Sequence, residues 1–123
     1  MLLLGLDLGS SAVKASVLDG VTGNCLASAF YPKDEMKIVA QQPGWAEQDP
    51  ETWWKNIKAA ISDCNTQLGE RKKDIGAIGI SYQMHGLVIV DKSFNILRPS
   101  IIWCDSRAVD YGEKAFKSLG EEY

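Results

Sequence analysis

The sequence predicts an α/β fold ordered β-β-β-α-β-β-β-α. Three observations lead there. Turn-linked apolar runs open the chain, one well-capped amphipathic helix sits near its middle, and further short apolar runs precede a last helix. The chain has 123 residues, 46% hydrophobic and 24% charged. That mixture excludes disorder and collagen-like repeats and suits a single domain with a core of its own.

Leu2–Asp7 is an apolar run suited to a buried strand, followed by a polar turn at Gly9-Ser10-Ser11. Ala12–Leu18 is a second strand, with Val13 and Val17 as its β-branched members. Asp19–Asn24 is dense in turn formers, and Cys25–Tyr31 is a third strand ended by Pro32. Two short turns between three strands imply an antiparallel meander. Lys33–Gln48 lacks a period, contains Pro43-Gly44 and is read as a loop. Asp49-Pro50-Glu51 then opens a helix: a capping carboxylate, a proline at the first position and an acid for the dipole. Trp53, Ile57, Ala60, Ile61, Cys64 and Leu68 recur at helical spacing, and Gly69 is the stop. Trp45, Trp53 and Trp54 are read as packing residues. Strands are predicted at Ile75–Ser81, Gly86–Val90 and Ile101–Trp103, and a helix over Ala108–Leu119 ending at Gly120.

Charge and cysteines exclude several functions. The net charge is −3, and the basic residues cluster only at Arg71-Lys72-Lys73, read as a solvated turn, so no nucleic-acid partner is expected. No run approaches the roughly 20 apolar residues of a membrane span, and no membrane partner is expected. The N-terminus does not read as a signal peptide. Cys25, Cys64 and Cys104 are odd in number and lack C-x-x-C spacing, so neither a disulfide framework nor a zinc site is implied and a cytoplasmic location is expected.

Three segments carry chemistry. In the first, Asp7 ends a buried run, Gly9-Ser10-Ser11 turns the chain and Lys14 follows. Turn amides and small hydroxyls donate to phosphate oxygens, glycine lets the backbone approach, and a lysine adds a point charge. A carboxylate there suits the water shell of Mg²⁺. The same pattern fits an ordinary hairpin with Asp7 as turn acceptor. The second segment is Ser81-Tyr82-Gln83-Met84-His85-Gly86, holding the only histidine. Gln83 and His85 can hydrogen-bond a polyol while Met84 packs on its carbons; a structural histidine is the alternative. The third is Trp103-Cys104-Asp105-Ser106-Arg107. An aromatic face beside charged groups suits a sugar, and a helix start with a local Asp105–Arg107 pair fits equally.

Taken together these segments resemble a known family. Gly5-Leu6-Asp7-Leu8-Gly9-Ser10-Ser11 is similar to the first phosphate motif of the FGGY carbohydrate kinases. Gly44–Pro50, Gln83–Gly86 and Leu97-Arg98-Pro99 through Trp103-x-Asp105-x-Arg107 resemble the branch of that family acting on xylulose. The resemblance covers essentially the whole chain. It implies a ribonuclease-H-like, actin-like ATPase fold with a mixed sheet, and ATP-dependent phosphorylation of a ketopentose, D-xylulose, in xylose metabolism.

By the same resemblance, Asp7 acts on Mg²⁺–ATP through water, and Gly9, Ser10, Ser11 and Lys14 meet the phosphates. Gln83, Met84, His85, Trp103 and Asp105 serve the sugar. The glycerol-specific branch carries arginine and glutamate where Met84 and His85 stand, which argues against glycerol. Family members are several times longer, with two closing lobes and an aspartate base in a glycine-rich segment past the midpoint. None of Asp91, Asp105 or Asp110 stands in such a motif. Residues 1–123 are therefore expected to be the N-terminal part of the sugar-binding domain, without the C-terminal lobe, inactive alone and prone to homo-oligomerise through exposed apolar surface. Two other readings are a non-catalytic nucleotide- or sugar-binding module and a ribonuclease-H-like metal-dependent nuclease.

Overall fold

The computed structural model describes residues 1–120; the last three of the expected 1–123 domain, Glu121, Glu122 and Tyr123, lie outside the described residues. The chain forms two compact units. The first comprises Met1–Lys37 and Asp49–Met84, the second Ile38–Gln48 and the chain from His85 on.

The first unit is a four-stranded sheet under one helix. Strands β1 (Leu2–Leu8), β2 (Val13–Asp19) and β3 (Cys25–Tyr31) form the expected antiparallel meander, and β5 (Ile75–Tyr82) adds in parallel on the far side of β1. The order β3-β2-β1-β5 is a mixed sheet. Alternation sends Leu2, Leu4 and Leu6 to one face, where they join Ala15, Val17, Ala27 and Ala29 beneath the helix α1 (Pro50–Leu68). Leu3, Gly5 and Asp7 take the other face. Sequence chemistry explains α1 at both ends: the Asp49 carboxylate accepts from the Glu51 amide at 3.0 Å, and Gly69, at φ 59°, donates its amide to Asn65 O.

Ala60, Cys64 and Leu68 are buried as the period predicts; Trp54 instead lies 54% exposed, with the Lys58 ammonium over its ring. The α1 side chain of Gln67 pairs with the free edge of β3, donating to Ser28 O and accepting from Ser28 N. The segment Arg71–Lys73 is exposed as expected and lies in a 3-10 turn over Gly69–Asp74. Arg98 and Glu47, from the expected loops, belong to the second unit.

Four elements of the second unit differ from expectation. The loop over Lys33–Gln48 ends in a short strand, β4 (Glu47–Gln48), which pairs antiparallel with β6 (Ser100–Ile101). The strand expected at Ile101–Trp103 is β6, shifted toward the N-terminus. The strand expected at Gly86–Val90 is absent: Leu87 and Val90 make single bridges, to Ile101 and Ile96. The Leu-Val-Ile-Val run has strand propensity, but propensity acts through cross-strand partners, and this run stays exposed without a continuous one. Its turn is held by Asp91, which accepts from the Ser93 and Asn95 amides at 2.8 and 2.9 Å. Helix α2 (Val109–Leu119) starts one residue later than read and ends at Gly120. No helix among the described residues is long and apolar enough to cross a membrane.

Candidate functional site

The turn after β1 closes tightly: the Gly9 amide donates to Ala12 O at 3.1 Å, and a Cβ at Gly9 would stand 3.0 Å from that oxygen. A side chain there would press on that carbonyl, so the close approach favours glycine. Cross-strand register sets Asp7 opposite Lys14, and Lys14 Nζ donates to Asp7 Oδ2 at 3.2 Å. Both side chains remain accessible, 47% for Asp7 and 64% for Lys14. Ser11 carries a contact invisible to motif reading: its hydroxyl donates to Glu35 Oε1 at 2.7 Å, and its carbonyl accepts from the Met36 amide at 2.8 Å. Glu35 lies in the segment read as a featureless loop, 24 residues from its partner, and no local pattern signals it.

Parallel pairing of β1 and β5 brings Asp7 beside Ser81 and Leu8 beside Tyr82. Gln83 follows directly and donates its amide to Leu8 O at 3.0 Å. Asp7 and Gln83 thus stand at the carboxyl ends of adjacent parallel strands, where open α/β sheets bind their ligands. Gln83 Oε1 is buried and has no hydrogen-bond partner among the described residues. A buried acceptor left unmade is costly, so this oxygen suits an incoming hydroxyl. Met84 follows, 66% exposed. Asp7, Lys14 and the turn are therefore brought together with Gln83 and Met84 in the first unit.

His85, Trp103 and Asp105 belong to the second unit. His85 is exposed and holds φ 62°, an uncommon conformation for a side chain other than glycine. Trp103 is 58% exposed. Asp105 is different, its side chain only 2% accessible. Its oxygens accept from the Ala46 amide at 2.6 Å, the Arg107 amide at 2.9 Å, and the Arg107 guanidinium at 2.7 to 3.0 Å. The Arg107 hydrogen bond holds the Asp105 carboxyl well below the usual carboxylate range, helped by the two amides and opposed by burial.

The same guanidinium donates to Glu47 Oε1 at 2.7 Å and lies 3.7 Å over the Trp45 ring. Arg98 also pairs with Glu47, which is 4% accessible. Ser106 donates its hydroxyl and amide to Gly44 O; Gly44 holds φ 79°, a conformation that strains any other residue, and a Cβ there would displace Ser106 Oγ. The local Asp105–Arg107 pair was legible in the sequence; its extension to Glu47, Arg98 and Trp45 was not.

Magnesium, which this family of motifs implies, uses one or two carboxylates and keeps several waters. The half-exposed Asp7 beside a turn of donors fits that habit. No group of three or more metal-ligating side chains occurs among the described residues.

The mixed sheet β3-β2-β1-β5 under one helix is shared with solved sugar kinases of the actin-like ATPase fold, and that is the class of this protein. Residues 2–122 match the N-terminal domain of the FGGY family of carbohydrate kinases, and the chain belongs to that family. Within it the chain is xylulokinase-like. It is 36% identical to the xylulose kinase of Klebsiella pneumoniae over 107 residues, covering 87% of this chain and 21% of that protein. It is 36% identical over 120 residues to the xylulose kinase of Bacillus subtilis, covering 96% of this chain and 23% of that protein. The crystal structure of xylulose kinase from Rhodospirillum rubrum superposes with a TM-score of 0.89 at 28% identity, over 99% of this chain and 24% of that one. The chain thus spans between a fifth and a quarter of its relatives' length. Kinase membership sets the nuclease reading aside.

Proposed function

We propose that this chain carries the phosphate turn and part of the sugar site of an enzyme that phosphorylates a ketopentose, converting D-xylulose to D-xylulose 5-phosphate with ATP. The observation carrying this reading is the placement of Asp7, the Gly9–Ser11 turn and the orphaned Gln83 oxygen at the ends of parallel β1 and β5. Similarity to xylulose kinases supports the sugar.

In this reading Gly9, Ser10, Ser11 and Lys14 bind the nucleotide phosphates. Asp7 orients the nucleotide's hydrated cation. Magnesium, when bound with ATP, supplies neutralisation of phosphate charge. Gln83 Oε1 accepts from a sugar hydroxyl, Met84 packs on the carbon skeleton, and His85 hydrogen-bonds the ketose. Trp103 forms a wall of the sugar site, and Asp105 serves it by holding the turn that carries that wall. In the transfer, the bond between the γ-phosphorus and its bridging oxygen breaks. A bond from phosphorus to the sugar's primary oxygen forms, and the hydroxyl proton passes to a base that we place outside this chain. Residues 1–123 then form the N-terminal part of the sugar-binding domain and by themselves turn over no sugar. The cytoplasm suits the three free thiols and the supply of ATP. Exposed Ile78, Ile80 and Tyr82 on β5 support self-association of the isolated chain, which sedimentation as a monomer would contradict.

The test is ADP release by the longest polypeptide containing this chain, with D-xylulose, glycerol, gluconate or no sugar. Turnover with D-xylulose alone is expected. Turnover with another sugar keeps the kinase and discards the ketopentose; none with any sugar favours a non-catalytic binding module. Sugar-dependent ADP release by residues 1–123 at an intact kinase's rate would overturn the inactivity of the isolated chain.

A further inference from the structure

We propose that Glu35 makes phosphate binding at the Gly9–Ser11 turn depend on a divalent cation. The proposal rests on the reading above that this turn receives the nucleotide phosphates, and it concerns a residue that reading does not use.

The Ser11 hydroxyl has one proton, and it is committed to Glu35 Oε1 at 2.7 Å. A phosphate oxygen arriving at the turn finds that donor taken and a carboxylate behind it. The contact is anchored. Met36, next in the chain, is buried, donates its amide to Ser11 O at 2.8 Å, and accepts at its sulfur from the Asn56 amide of α1 at 3.3 Å. Glu35 is therefore held against the turn by a neighbour fixed to both the turn and the helix.

The local charge has the same consequence. Asp7 and Lys14 pair at 3.2 Å and largely cancel. The ion pairs found among the described residues do not include Glu35. These three side chains sum to one negative charge, and the neighbouring cation, Lys33, which lines a pocket with Lys14, lies over the Phe30 and Tyr31 rings. Metal-free ATP brings several more negative charges and is repelled. The magnesium complex carries less charge and presents a hydrated cation to Asp7 and Glu35, since magnesium retains waters and accepts one or two carboxylates. Ser11 can then exchange Glu35 for a phosphate oxygen without leaving the carboxylate uncompensated. Glu35 in this role is a positioning residue that selects the cation-bound form of the nucleotide.

Calorimetric titration of ATP into the full chain, with magnesium and with a chelator, tests this. Wild type is expected to bind the magnesium complex at least about tenfold tighter than metal-free ATP. Glu35→Gln, which keeps the size and an acceptor but removes the charge, should tighten metal-free ATP about fivefold and change the magnesium complex by less than about twofold. Glu35→Lys should tighten metal-free ATP further. Added salt should shrink these differences, because the groups are exposed. The same ratio of affinities in wild type and both variants, or weaker binding of both forms by Glu35→Gln, overturns the role of Glu35 and leaves the phosphate turn intact. Binding of neither form by any of the three chains overturns the phosphate reading of the turn, and this inference with it.

Discussion

Asp7 and Lys14 meet across one hairpin, seven residues apart in the chain, and both stay largely in water. Glu47 meets Arg98 and Arg107 across 51 and 60 residues, and its carboxylate is almost wholly withdrawn from water. The first pair is a surface contact of little energetic consequence, free to exchange partners when a ligand arrives. In the second the carboxylates of Glu47 and Asp105 are desolvated while Arg107 and Arg98 keep 18% and 39% accessibility, so it is a carboxylate left unpaired there that has no water to turn to. Exposed charge stays available to a ligand; buried charge fixes a turn.

The largest effect that would test this contrast is at Glu47. Glu47→Ala removes the shared partner of Arg98, which is 39% accessible, and of Arg107, which keeps Asp105, and is expected to cost about 2 to 3 kcal/mol, read from urea unfolding followed by tryptophan emission. A loss below about 1 kcal/mol would break the contrast. Arg107→Lys keeps the charge but loses the forked contact with Asp105 and the stacking on Trp45, and about 2 kcal/mol is expected by the same measurement.

Acid sharpens the comparison further. The carboxyl of Asp105 titrates lower in the folded chain than its ordinary 3.8, so its ionised form favours folding at neutral pH. That contribution is present above the ordinary value and is lost as pH falls from 3.8 toward the lower native value. The urea midpoint should fall through that window in wild type and fall less in Asp105→Asn. Smallest of all in stability is Lys14→Ala, expected within about 0.5 kcal/mol of wild type, while ATP affinity in the presence of magnesium drops measurably. A large stability loss there would mean that the hairpin pair is structural after all.

Legibility followed the same division. The meander and α1 could be read because their determinants are local: turn formers between strands, and Asp49, Pro50 and Gly69 at the helix ends. The turn at Gly9–Ser11 was found for the same reason. Gly86–Val90 misled because a β-branched run says nothing about whether a partner strand lies alongside. Trp54 misled because one tryptophan of a helical pair falls off the buried stripe. Glu35 left no trace and Glu47 showed only as a member of the Gly44–Pro50 resemblance, since each takes its meaning from a partner far along the chain.

Taken alone, the amino-acid order determined the strands of the meander, the limits of the central helix, the tight turn at Gly9–Ser11 and the family resemblance. These depend on interactions spanning a few residues, and such interactions form wherever the segment is placed. Tertiary structure alone decided that β5 lies parallel to β1 and brings Gln83 to the end of Asp7's strand. It alone withdrew Asp105 and Glu47 from water and set a second carboxylate against Ser11. Burial and long-range pairing are properties of neighbours in space, and folding chooses those neighbours for the whole chain at once.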